Sequence, residues 1–119
     1  KIKNFLRMEK WIFDSPDQAG ETFRQFAKDF FQQNKLINGG LRIGDHEVAL
    51  ANISCPVLNI YALQDHLVPP DASRALAGRT SSKDYTELAF PGGHIGIYVS
   101  GKAQKEVTPA IGGWLNERS

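Results

Sequence analysis

With one cysteine, Cys55, among 119 residues, the chain can form no internal disulfide. Its three histidines stand apart in no spacing that closes around a metal ion, so neither a metal nor a cofactor is expected. Charge of one sign is also missing: 14 Lys and Arg meet 13 Asp and Glu for a net charge of +1, with no run of either sign. Such a balance argues against nucleic-acid binding. No apolar stretch is long enough for a signal peptide or a membrane span, the opening KIKNFLRMEKW being basic and amphipathic only. Internal repeats and low-complexity linkers are absent. The composition, 41% hydrophobic and 23% charged, is that of one ordinary globular domain. An intracellular, metal-free protein is expected, trimmed at its start because Lys1 is not preceded by an initiator methionine.

The stretch FDSPDQAGETFRQFAKDFFQQNKL predicts a helix. Phe23, Phe26, Phe30 and Phe31, with Ala19 and Ala27, fall at the three-and-four spacing of one helical face. Ser15 as N-cap, Pro16 at the first helical position and Gln18 would satisfy orphan backbone donors at its start. After Asn38-Gly39-Gly40, LRIGDHEVAL alternates about Gly44-Asp45 as a small hairpin does.

The second half reads as strand, helix, strand, helix. PVLNIYAL and YTELAF are β-rich runs, separated by the breakers of QDHLVPP and a short helix from about Pro70 to Leu76 closed by Gly78. A last helical pattern puts Val107, Ala110 or Ile111, Trp114 and Leu115 on one side, with Thr108-Pro109 expected to start that helix afresh. This order implies a parallel strand pair with a right-handed crossover and an α/β fold class.

In such a sheet, functional groups gather beyond the carboxyl ends of the strands. Asp65 and His94 both stand there, each a few residues past its own strand. A carboxylate that accepts from one imidazole nitrogen sets the tautomer and stabilises the imidazolium formed when the other nitrogen takes a proton. Acid followed by histidine is the chain order of an α/β-hydrolase triad, whose nucleophile stands upstream on a Gly-x-Ser-x-Gly or Gly-x-Cys-x-Gly elbow. No such pentapeptide occurs here. Spacing alone does not decide, since any α/β protein has an Asp and a His in some loop.

The wording of the sequence goes further. ISCPVLNIYALQDHLVPP, FPGGHIGIYVSGKAQKEVTPAIGGWL and FLRMEKWIFDSPDQAGETFRQFAKDFFQQNKL strongly resemble the catalytic subunit of polyhydroxyalkanoate synthase, of the class III type that works with a second subunit. The resemblance covers essentially the whole chain. It implies the C-terminal part of an α/β-hydrolase fold, with parallel strands and crossover helices. Residues 1–52 would end a helical cap region and 53–119 would belong to the core. It further implies that Asp65 and His94 belong to a Cys-His-Asp triad whose cysteine lies upstream. The implied activity is polymerisation of (R)-3-hydroxyacyl-CoA into polyester with release of CoA, in the cytoplasm at the polyester granule surface. The expected partners are that thioester, the growing polyester chain, a second synthase subunit and further copies of the chain, with no nucleic acid and no transmembrane segment. The alternatives are a fragment of a serine esterase or thioesterase, and a noncatalytic binding or assembly module. Cys55 is expected as a small core residue, since it lies at the opposite end of its strand from Asp65 with no helix N-terminus beside it. His66, adjacent to Asp65, is expected to diverge from the pair and to be structural. His46 is expected to be solvated, and Trp11 and Trp114 to be packing residues.

Overall fold

A computed structural model describes residues 2–119. The chain opens with α1 (Ile2–Phe13) and continues through α2 (Gly20–Gln25) directly into a π-helical segment, Phe26–Gln32. A single turn, α3 (Lys35–Asn38), leads to the hairpin of β1 (Leu41–Ile43) and β2 (His46–Val48). After a 3-10 turn at Leu50–Asn52 come β3 (Val57–Ala62), α4 (Pro70–Arg74), β4 (Tyr85–Phe90), α5 (Gly96–Val99) and α6 (Gly101–Asn116).

The expected single helix from Phe13 onward is divided. Phe13 ends α1, and the next helix begins at Gly20 with no side-chain cap. The Ser15 hydroxyl donates to the Ile12 carbonyl at 2.8 Å, so it serves the end of α1 rather than a new helix start. Further on, the Gln33 N–H bonds to the Lys28 carbonyl, five residues back. This wider winding sets Phe26 against both Phe30 and Phe31, with ring centroids 5.3 and 5.2 Å apart. Inside the same segment Asp29, 8% exposed, is held by Lys35 Nζ at 2.8 Å. Gln25 Nε2 donates to the Arg42 carbonyl and ties the helix to the hairpin, where Leu41 is 1% exposed. The hairpin turns at Gly44, whose φ of +57° costs glycine little.

The strands β3 and β4 run parallel in full register from Val57↔Tyr85 to Ala62↔Phe90. Alternation along them builds three layers. One face carries Asn59 and Tyr61: Asn59 Nδ2 donates to the Ser73 carbonyl, and the Tyr61 hydroxyl accepts from Arg74 Nε at 3.0 Å, fastening α4. The other face buries Phe90 against Ala103 and Val107 of α6, with Ile60, Leu88 and Ile97 around them. Trp114 Nε1 donates to the Thr86 hydroxyl at 3.3 Å on the same face. Arg118 lies over the Trp114 ring and binds both oxygens of Asp84, closing the end of α6 onto the start of β4.

Pro109 does not begin a helix; it sits inside α6, which runs unbroken from Gly101. Ser100 is the N-cap, its hydroxyl accepting from the Ala103 N–H at 3.0 Å. An interior proline costs about 3 kcal/mol in an isolated helix. Burial of Ala103 and Val107 on one side of it and the Trp114 and Arg118 contacts on the other offset that cost. No helix among the described residues is long and apolar enough to cross a membrane.

Candidate active site

The carboxyl ends of β3 and β4 are extended by two further backbone bonds. The Leu63 N–H donates to the Phe90 carbonyl at 2.8 Å, and the Gln64 N–H donates to the Gly92 carbonyl at 2.9 Å. The two loops that follow the strands therefore leave the sheet side by side. Asp65 stands in the first and His94 in the second, and His94 Nδ1 meets Asp65 Oδ2 at 2.8 Å.

The other carboxylate oxygen is equally committed. Asp65 Oδ1 accepts from the N–H groups of Leu67 and Val68, both at 2.9 Å. Pro69 follows without an N–H, so the Asp-x-x turn offers these donors at the point where the chain has no later one to give. The Asp65 side chain is 9% exposed and the His94 side chain 37%. Burial by itself would raise the Asp65 pKa. Donation from the Val68 N–H, the His94 ring and the Leu67 N–H outweighs it and holds the carboxyl below its usual value. An ionised Asp65 has only acceptors to offer, so Nδ1 carries a proton, and in the neutral ring Nε2 is left with the lone pair. A base with its tautomer set is what general-base catalysis requires.

One glycine whose role was missed in reading the sequence, Gly92, holds this geometry, although Pro91-Gly92-Gly93 was legible as a breaker. A Cβ on Gly92 would lie 2.5 Å from the ring of Phe90, which is 3% exposed and cannot easily yield. Gly93 approaches the Gln64 carbonyl, where a Cβ would make ordinary contact at 3.5 Å. A cavity of about 130 Å³ opens beside the pair, with Val68, Ser73 and Tyr98 among its walls. A larger space of about 370 Å³ also borders His94 and is lined by residues of α1 and α5.

His66 is exposed and takes no part in the pair, and His46 is exposed at the start of β2. Cys55 corrects the sequence expectation: it is exposed, because it precedes the first strand pairing at Val57↔Tyr85 and no element among the described residues covers it. Trp11 is 63% exposed and lines the space beside His94. Trp114 packs as expected.

The alpha/beta hydrolase fold family matches residues 1–100. Over 118 residues the chain is 82% identical to the poly(3-hydroxyalkanoate) polymerase subunit PhaC of Allochromatium vinosum, covering 99% of this chain and 33% of that protein. It is 78% identical to the subunit of the same name from Thiocystis violacea, over 100% of this chain and 34% of the relative. Identity to that of Haloferax mediterranei is 40%, over 99% of this chain and 24% of the relative. The chain thus spans about a third or less of the length of these relatives. No solved structure matches it.

Proposed function

The chain belongs to the alpha/beta hydrolase fold family, and on that premise we propose that it supplies the acid and the base of a poly(3-hydroxyalkanoate) synthase. The observation that carries this reading is the clamped Asp65–His94 pair at the carboxyl end of β3 and β4, in a chain 82% identical to a polymerase subunit. Residues 1–52 are taken as the end of a cap and 53–119 as the C-terminal part of the core. The nucleophile is a cysteine on a strand-to-helix elbow outside these 119 residues.

The chemistry follows from the pair. His94 Nε2 takes the proton of the cysteine thiol, and the thiolate attacks the thioester carbonyl of an (R)-3-hydroxyacyl-CoA. The bond to the CoA sulfur breaks, and the imidazolium returns its proton to that sulfur as CoA leaves. The 3-hydroxyl of the next unit then gives its proton to Nε2 and attacks the acyl-cysteine. An ester bond forms and the cysteine thiol is regenerated. Asp65 stays ionised throughout and stabilises each imidazolium. The reaction needs no cofactor, and the product accumulates at a granule surface in the cytoplasm. A second subunit assists it.

A chimera tests this reading: residues 1–119 replace the matching third of the Allochromatium vinosum subunit, co-expressed with its partner subunit. CoA release from (R)-3-hydroxybutyryl-CoA is followed with a thiol reagent and the product is analysed. Polyester is the expected product, and it should be lost in His94→Gln. Free hydroxyacid as the sole product would move the reading to a hydrolase. An active His94→Gln variant would remove the histidine from the mechanism.

A further inference from the structure

The apolar space beside His94 is the feature the triad chemistry leaves unused. It measures about 370 Å³, within the range of small-molecule pockets, and is lined by Met8, Trp11, Ile95, Tyr98 and Val99 together with His94; Trp11, Tyr98 and Val99 are more than half exposed. Four elements of its construction bear on a ligand. The wall comes from two helices distant in sequence, α1 and α5, so it is made by the tertiary fold and not by one amphipathic face. Among the described residues no Lys, Arg, Asp or Glu lines it. Tyr98 and His94 also border the smaller cavity that contains Asp65, so the polar and apolar spaces share two residues. Finally, the indole, phenol and thioether at its walls are large, soft surfaces suited to a flexible aliphatic chain.

Resting on the synthase reading, we propose that this space is the acyl subsite, taking the alkyl side chain at C3 of the hydroxyacyl unit held at His94, with Trp11 and Tyr98 as its specificity-determining walls. A nucleotide diphosphate has no counter-charge here, so the CoA moiety lies elsewhere. The carbonyl and hydroxyl of the unit stay at the imidazole while its hydrocarbon runs between α1 and α5. Removing an apolar wall should therefore cost a longer side chain more than a shorter one. Each methylene properly held in an apolar pocket is worth about tenfold or more in kcat/KM.

The experiment compares kcat/KM for (R)-3-hydroxybutyryl-CoA and (R)-3-hydroxyhexanoyl-CoA in the chimera. Trp11→Ala is expected to lower the hexanoyl-to-butyryl ratio about tenfold, and Trp11→Phe to change it less. Tyr98→Ala, on the opposite wall, should shift the ratio in the same direction, while Trp114→Phe, packed on Thr86 far from the space, should leave it unchanged. A ratio that holds in both Trp11→Ala and Tyr98→Ala overturns the proposal, including the case where both substrates fall together. The synthase reading fails separately, through absence of polymer from the parental chimera.

Discussion

Replacing Asp65 by Asn conserves volume and alters only what the two carboxylate oxygens can do. Oδ1 receives two backbone N–H groups at 2.9 Å, a position that only the amide oxygen of Asn can fill. The amide NH₂ is then left facing His94 Nδ1 across 2.8 Å. Two donors cannot share that distance, so the imidazole proton must move to Nε2, and the nitrogen that should accept a proton no longer can. In Ser-His-Asp enzymes the equivalent change costs about 10⁴ in kcat, which corresponds to about 5.4 kcal/mol of transition-state stabilisation. A loss of that order is expected for polymerisation by the chimera, with folding stability lowered by the weakened charge-assisted bonds. The pH dependence has a defined sign. The folded carboxyl is held below its usual value, so its stabilisation is complete above the unfolded pKa, about 3.9. It is lost as pH falls through the lower folded value. The Asp65→Asn variant lacks that contribution, and the stability gap between the two proteins should narrow in acid. Nitrogen chemical shifts of the His94 ring report the tautomer directly. A properly folded Asp65→Asn chimera within tenfold of parental activity, or one with Nδ1 still protonated, would refute this reasoning.

His94→Ala should lower activity by at least 10²–10⁴, roughly the range of a lost general base, whereas the exposed His66→Ala should be nearly silent; equal losses in a CoA-release assay would sink the assignment. Gly92→Ala forces its Cβ against the buried Phe90 ring and should destabilise the fold by about 1–3 kcal/mol in urea titration, while Gly96→Ala, with open space around it, should cost far less. The isolated 119-residue chain should self-associate, because β3 has β4 as its only strand partner among the described residues and Phe5, Phe13, Phe23 and Phe31 are all more than half exposed. Light scattering over a wide concentration range checks this, and a stable monomer throughout would contradict it.

What the amino-acid order decides unaided here is local. Tyr85–Phe90 could be read as a strand because β-branched and aromatic residues end at Pro91-Gly92, a breaker whatever surrounds it. The hairpin about Gly44 and the stop at Gly78 follow from the same kind of signal, both glycines taking positive φ. The positions of Asp65 and His94 past their strands were legible for that reason, and the resemblance rests on the words around them. Three other features depended on partners that no window contains. Ser15 had two helix ends to choose between, and the Ile12 carbonyl won. Pro109 could remain inside α6 because distant residues on both sides of it, Phe90 and Asp84 among them, hold the helix to the sheet. The winding of Phe26–Gln32 accompanies a pair between the buried Asp29 and Lys35 that periodicity does not register. Exposure of Cys55 and Trp11 likewise depends on which elements reach them, a question of topology and not of residue type. The 2.8 Å contact between Asp65 and His94 belongs to this second kind: 29 residues separate them, and only parallel register carried past the strand ends, with a glycine where Phe90 leaves no room for a Cβ, brings carboxylate and imidazole together.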